Sequence, residues 1–532
     1  MRISPRLVAS LLLCLTVAHV VVIHAHVADP FVDDSYITLR YARNLVEGRG
    51  LVFNPGERVE GYTHPLWVLL AAVSLALRLP PAFTMQVMGV VAWLGVLLSV
   101  IRAADDAGLR SPARWVGPMA IVLGASGGFW SLSGLETTCH AWAITEGVRL
   151  SLGDVRTRRP LGLGSIAAFA AATLLRPEAV LWFGGALILV AWTARSGESQ
   201  RPLVAGVMRA GAVFVLLLAP WLAFRRAYYG EWLPNTFYAK TGGDLRFVLG
   251  RGASYVGWSL LQGPYAGLAF ATLVRPAQLR RPEVWLPLSL ALAHLASVIA
   301  LGGDYMWFGR FVLPVIGPLA MVTSVAVDAW YLEARRRVLP AFVAGIACLS
   351  GVLPWVWRDS LSSYRAATTD RFIPVGHWLR SHVQSDVLIA TSAVGAIGWL
   401  SGKRMLDTQG LTDWHLARHI DSRLDPQLLK TTAGHGRGDA EYVLRRRPDL
   451  ILLANVWLRQ EPLTPQSLSK NLGATHITDR MLLLDPRFFE AYDVFNYPTR
   501  NGRFLGMAVR KDCVVHPSHP EFAGPAPLVV AQ

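Results

Sequence analysis

Asp33 and Asp34 stand side by side where the first long apolar segment of the chain gives way to polar sequence. Two carboxylates at the edge of a lipid-spanning helix are costly to desolvate, so their presence there points to a task. A carboxylate at the mouth of a bilayer can take a proton from a water-borne hydroxyl while a lipid head group lies within reach. The pair therefore suggests acid–base chemistry on a lipid-linked substrate. Adjacent positions on a helix point about 100° apart, so the two should serve different ends: one the substrate, the other a cap, an arginine or a cation. Capping the helix that follows accounts for one of them and not for both.

The sequence after the pair supplies that helix. From Ser35 to Gly48, Ile37, Tyr41 and Leu45 recur at i, i+4 and i+8 and make one apolar stripe, with Arg40, Arg43 and Glu47 on a neighbouring face. Asn54-Pro55-Gly56 marks a turn. Glu57, Arg58 and Glu60 follow, then Tyr62-Thr63-His64-Pro65. A solvated charged loop accounts for Glu57 to Glu60 about as well as a substrate role does. His64 reads as a phosphate ligand or, slightly better, as the polar end of the next helix.

The whole chain fits a membrane setting. It has 532 residues, of which 53% are hydrophobic and 16% charged, with a mean hydropathy of +0.36. A soluble protein of this size would carry about a quarter charged residues, and a surface facing lipid explains the deficit. Apolar segments near 7–25, 82–101, 115–131, 137–150, 160–174, 179–194, 204–224, 252–274, 284–301, 309–329 and 338–356 predict about eleven spans. The first follows Arg2 and Arg6 like a signal peptide, but Val20 to Val27 lacks a small-x-small site, so an uncleaved helix is expected.

The formal charge is +15, and lysine occurs only at 240, 403, 430, 470 and 511. This charge is scattered between apolar segments, as for topogenic arginine, which argues against nucleic-acid binding. Cys14, Cys139, Cys348 and Cys513 show no paired spacing, so neither a disulfide framework nor a zinc site is supported.

Flanking arginines assign sides. With the N-terminus inside, the cytoplasmic turns hold Arg102, Arg110 and Arg114, then Arg156, Arg158 and Arg159, then Arg195 and Arg201, then Arg275, Arg280 and Arg281, then Arg335 to Arg337. The opposite turns carry the unusual sequences: Asp33-Asp34, Ser133 to Glu136, Arg176-Pro177-Glu178, Tyr228 to Lys240, and Gly302-Gly303-Asp304. Counting 65–79 as a span would invert this order, so it is expected to lie at or dip into the outer surface. From about residue 358 to 532 charges become frequent. Val387–Thr391 and Asp449–Leu453 look like buried strands between helical stretches such as 372–383, predicting an extracytoplasmic α/β domain after a membrane domain over 1–357.

The run from Asp33 to Thr63 resembles the mycobacterial terminal arabinofuranosyltransferases of cell-wall arabinan synthesis. These are members of the GT-C superfamily of multi-span glycosyltransferases. Ser133 to Thr137, Leu175 to Glu178, Tyr229 to Thr236, Gly302 to Asp304 and Gly410 to Asp413 are similar to patterns in bacterial members of that group. The resemblance implies a polyhelical GT-C fold and a polyprenyl-phosphate sugar donor in a bacterial plasma membrane. It also implies a cell-envelope glycan acceptor and inverting transfer at the extracytoplasmic face. Arabinofuranose is the first choice of sugar; a mannosyl or aminosugar transferase with the same donor class is the alternative. A lipid-linked glycan transporter fits less well, because the distinctive residues crowd the segment ends instead of mid-membrane.

On this resemblance an aspartate removes the acceptor proton, Asp33 for choice and Asp34 close behind, and basic residues meet the phosphate charge. Arg40, Arg43, Arg58, Lys240 and Arg310 are the expected phosphate partners, and Glu60, Tyr62, His64, Asn235 and Asp304 the expected substrate contacts. Glu136 and Glu178 read rather as caps or arginine partners. Tyr62, Trp67, Trp232, Tyr305 and Trp307 could stack sugars, although aromatic belts at membrane interfaces are commoner. Trp399, Trp414 and the Asp413–His415 pair offer acceptor contacts in the outer domain, with ordinary packing the better expectation. Paired carboxylates are compatible with a divalent cation, which a lipid-monophosphate donor needs less than a diphosphate does.

Overall fold

The computed structural model describes residues 5–27, 30–109, 112–194, 201–241, 244–261, 276–306, 308–333, 368–383, 386–420, 437–453, 458–459, 477–498, 504–513 and 526–527. Its helices in the first part are α1 (Pro5–Val27), α2 (Asp33–Val46), α3 (Pro65–Ala76), α4 (Pro81–Asp106), α5 (Val116–Leu123), α6 (Ala125–Leu132), α7 (Thr137–Arg156), α8 (Leu163–Leu175), α9 (Val180–Ala194), α10 (Arg201–Tyr229), α11 (Asn235–Lys240), α12 (Leu245–Leu261), α13 (Pro282–Ala300) and α14 (Leu313–Glu333).

Among the described residues five helices are long and apolar enough to cross a membrane: Pro5–Ala25, Pro81–Asp106, Leu203–Tyr229, Pro282–Ala300 and Leu313–Leu332. The protein is a multi-pass membrane protein. The segment expected at 115–131 is two short helices, α5 and α6, broken at Gly124. Beyond that break Gly127 and Gly128 let α6 press against Trp93 and Ile23. The expected span at 338–356 and the second half of 252–274 lie outside the described residues. At 12 residues, α3 reaches only about 18 Å, well short of the roughly 30 Å that a crossing needs. It ends at Leu77, just before Arg78 adopts a left-handed backbone.

The basic ends of the long helices gather at one end of the bundle. Arg149, near the end of α7, pairs with Asp106 at the end of α4 (2.8 Å) and with Glu146 (2.6 Å). Arg156 donates to Glu283 at the start of α13, 3.1 Å away. The start of α7 and the end of α8 lie at the other end, beside Asp33 and Asp34.

The C-terminal part is a mixed sheet with helices α15 (Ile373–His382), α16 (Gly395–Ser401), α17 (Ala440–Arg446), α18 (Ile477–Leu483) and α19 (Pro486–Ala491). Strands β1 (Leu388–Thr391), β2 (Arg404–Asp407), β3 (Leu450–Leu452), β4 (Leu458–Arg459), β5 (Tyr492–Pro498), β6 (Phe504–Arg510) and β7 (Ala526–Pro527) run in the order β2-β1-β3-β6-β5-β7, with β4 also on β6. β1 is parallel to both its neighbours, whereas β6 is antiparallel to β3, β4 and β5. The expected strands at 387–391 and 449–453 are β1 and β3, and both are almost wholly buried, as their unbroken apolar runs require.

The two parts meet on α2. Nine of its residues are buried, because α3 covers one side and α16 the other. The approach is close enough that a side chain at Gly395 would put Cβ 2.0 Å from the Asp33 carbonyl oxygen.

Candidate active site

Asp33 and Asp34 begin α2, yet neither caps it: Val32 holds the cap position and no side chain closes it. Asp33 instead caps a helix from the other end of the chain. Its carboxylate accepts from the Ala396 amide at 2.7 Å and the Gly395 amide at 3.2 Å, at the start of α16. Burial pushes the Asp33 carboxyl up to about 7; the Ala396 amide works against that rise and the neighbouring Asp34 adds to it.

Asp34 faces an arginine. Its Oδ2 lies 3.6 Å from Arg310, whose Nε donates to Asp304 at 2.8 Å. Arg310 is 4% exposed. Burial disfavours its charge, but Asp304 and Asp34 more than compensate and hold its pKa above the ordinary range. The turn carrying Asp304 and Arg310 has left-handed Gly302, Gly303 and Gly309. At Gly303 and Gly309 a Cβ would strike Tyr255 and Ser259 of α12.

Behind this pair lies a second charged group. Glu136 accepts from Arg176 at 2.8 Å and faces His64 Nδ1 at 3.3 Å, while His64 Nε2 sits 2.8 Å from Thr38 Oγ1. Burial opposes ionisation of Glu136, but the positive neighbours His64, Arg176 and Arg310 outweigh it and hold the carboxyl at about 2. Arg176 also binds Glu178 and lies over the Phe311 ring. Glu136 and Glu178 are thus arginine partners, as the sequence suggests.

Lys240, the last residue of α11, faces the same space and feels Arg310, Asp34 and Asp304. Burial lowers its pKa, and Arg310 lowers it further. Among the described residues no hydrogen-bond or ion-pair partner meets its ammonium. A half-buried cation without a partner beside an arginine is a place for an anion.

Several expected site residues are elsewhere. Arg40 is engaged by protein acceptors and works as a strut: it donates to the carbonyls of Phe53 (2.8 Å), Gly398 (2.7 Å) and Lys403 (2.7 Å) and to Asn54 Oδ1 (3.0 Å). Arg43 lies 4.2 Å over Trp399, and exposed Arg58 lies over Tyr228. Neither stands with Asp34.

Glu60 is held by Arg225 at 2.7 and 3.0 Å, and Tyr62 packs at 4.8 Å on Tyr41 with its hydroxyl 3.0 Å from Tyr229. Asn235 donates to the carbonyls of Gly410, Leu411 and Asp413 and accepts from Arg418. These three fasten the first loop and α11 to their surroundings, because each polar atom faces protein instead of open space. The Gly410-to-Asp413 motif is therefore a docking loop. The amides of Gln409 and Thr412 on buried Asp407 hold it in shape.

Of the aromatic candidates, Trp67 is buried with its indole on the Gly134 carbonyl, Trp232 and Tyr305 are exposed, and Trp307 lies outside the described residues. Among the described residues no three His, Cys, Asp or Glu side chains converge to hold a metal. The Gly395-Ala396 contact with Asp33 has no local sequence signal, since its partner is 363 positions away.

A model described as "Domain of unknown function (DUF8728)" matches residues 360–496, within the sheet region. The chain is 30% identical over 349 residues to a terminal beta-(1->2)-arabinofuranosyltransferase of Corynebacterium glutamicum, covering 56% of this chain and 48% of that protein. It is 30% identical over 249 residues to the protein of the same name from Mycobacterium tuberculosis, covering 44% and 38%. The chain thus spans about half or less of the length of these curated relatives. In structure it is similar to ArnT from Cupriavidus metallidurans bound to undecaprenyl phosphate, with a TM-score of 0.52, 14% identity and 94% and 98% of the two chains covered. The apo form of the same protein aligns with a TM-score of 0.51. Over about half of its length the chain is similar in sequence to these arabinofuranosyltransferases, and its fold is similar to that of ArnT.

Proposed function

We propose that the chain is a membrane glycosyltransferase that moves a sugar from a polyprenyl phosphate to a glycan acceptor, and that the sugar is arabinofuranose. The observation that carries this is a pair of cations on the same side as the two aspartates: Arg310, 3.6 Å from Asp34, and the half-buried Lys240 ammonium, which no described residue pairs. A lipid monophosphate supplies the missing anion. The names of the sequence relatives support the sugar, and the ArnT complex supports the lipid carrier.

Asp33 serves as general base. Its carboxylate takes the acceptor hydroxyl proton as that oxygen bonds to the anomeric carbon from the side opposite the phosphate, inverting the centre. The bond from the anomeric carbon to the phosphate oxygen breaks, and its electron pair leaves with the polyprenyl phosphate. Arg310 and Lys240 meet the charge that grows on that oxygen. Asp34 and Asp304 keep Arg310 in place, and His64, backed by Glu136 and Arg176, forms the adjoining wall. A pKa near 7 suits a base, because about half of the carboxyl is deprotonated near neutrality and it still takes up a proton well. Arginine-bearing turns at the other end of the bundle support an extracytoplasmic site.

The test is transfer from decaprenyl-phosphoryl arabinose to a synthetic arabinan, with Asp33→Asn and Asp34→Asn beside the parent. Product from the parent and loss in Asp33→Asn supports the proposal. Transfer only from a mannosyl lipid keeps the class and discards the sugar.

A further inference from the structure

On the far side of α11 from Lys240 lies a group of aromatic and polar side chains that the transfer chemistry does not use. Trp414, beside the docking loop, is 49% exposed. Its indole N–H donates to Glu231 at 3.1 Å. The Arg418 guanidinium lies 4.5 Å from the Trp414 ring and 3.9 Å from the Tyr238 ring. It donates to Glu231 at 2.9 Å and to Asn235 at 2.6 Å. Trp414 is thus pinned at its edge while much of its surface stays open to solvent. Beside it the rings of His419, His415 and Tyr442 stack, 3.9 Å from His419 to His415 and 4.0 Å from His415 to Tyr442. Asp439 fixes His415 at 2.8 Å.

Flat rings held rigidly, with planar donors and acceptors at their edges, suit a ligand that has apolar faces and polar rims. Sugar rings have that shape. A rigid aromatic gives contact area at little entropic cost. The two acids, Glu231 and Asp439, set among the rings argue against burial in lipid head groups, where aromatic belts are joined by basic residues. Tyr238 and Lys240 belong to the same short helix, so this surface and the phosphate site share one support.

We propose that Trp414, with the Arg418–Tyr238 stack and the His419–His415–Tyr442 column, is an acceptor subsite that holds the glycan chain at residues remote from the reacting end. This deepens the function proposed above and rests on it. Trp414 acts by binding and not by chemistry.

The experiment is steady-state transfer by the full chain carrying Trp414→Ala or Trp414→Phe, with a short and a long arabinan acceptor and decaprenyl-phosphoryl arabinose. Saturation-transfer NMR of the parent with the long arabinan and no donor runs beside it. The expected result is a KM for the long acceptor raised about five- to tenfold in Trp414→Ala, largely restored in Trp414→Phe. The kcat, the donor KM and the KM for the short acceptor stay unchanged, and the parent shows glycan contacts by NMR. An unchanged long-acceptor KM in an active Trp414→Ala protein overturns the subsite. So does an equal rise for both acceptors together with weaker vesicle binding, which makes the patch a lipid contact. A parent that transfers nothing sinks the proposed function. The NMR result, lost or kept in Trp414→Ala, then decides the glycan surface by itself.

Discussion

Asp33 and Ala396, separated by 363 positions, are joined by a 2.7 Å hydrogen bond in which the Ala396 amide donates to the Asp33 carboxylate. The proposed base is therefore oriented by the sheet region and not by its own helix. Each oxygen that receives an amide keeps a lone pair for the acceptor proton. The site is complete only when the C-terminal part is docked.

Asp33→Asn should lower kcat by about 10²–10⁴-fold, the range a general base contributes. Asn can still accept one amide, so the variant should fold. Asp34→Asn should act differently, through Arg310: the KM for the lipid donor rises along with the fall in rate. Equal kinetic signatures in the two variants would contradict this division of labour.

The rate should climb as pH rises through about 7, because Asp33 must lose its proton to act. Stability should move the other way. A carboxyl whose pKa is raised on folding binds its proton more tightly in the native state than in the unfolded one. Its contribution is fully present below the unfolded value of 3.8 and is lost as pH climbs to about 7. Thermal melts in detergent across that window should show this slope in the parent and a flatter one in Asp33→Asn.

Lys240→Met removes a half-buried charge that no described side chain pairs. The melting temperature should hold or rise, while affinity for a polyprenyl phosphate falls by at least about tenfold, as expected for a charge-assisted contact of ~1.5–3 kcal/mol. Competition by undecaprenyl phosphate in the transfer assay measures it. A variant that binds the lipid as well as the parent would remove Lys240 from the phosphate site.

Arg40→Ala should destabilise the protein by about 3–5 kcal/mol, since it strands buried acceptors on two segments at once. Limited proteolysis should then cut near the seam between α2 and α16, whereas Arg58→Ala, at an exposed position, should leave the pattern unchanged. Similar cleavage of both variants would mean that Arg40 does not hold the seam.

Five of the expected spans, a helix at 65–76 too short to cross, and the buried strands were legible in the sequence because each follows a local rule. Apolar runs match the bilayer in length, and β1 and β3 read as unbroken apolar stretches. The Asp33-Asp34 pair stood out for the same reason, a local cost with no local benefit. The roles of Arg40, Glu60 and Asn235 were not legible. Each is a polar residue in a polar loop, and nothing nearby tells a ligand for substrate from a ligand for backbone.

What settled those roles was closure of the chain on itself. Gly398 and Lys403 bring their carbonyls to Arg40, Arg225 brings its fork to Glu60, and Gly410 to Asp413 bring theirs to Asn235. Lys240, by contrast, keeps an ammonium that no described residue meets. Sequence by itself determined which residues carry charge and where helices can lie, since those depend on composition and on a fixed rise per residue. Only the tertiary structure decided which charges are satisfied, because a hydrogen bond acts over about 3 Å in space and takes no account of separation along the chain.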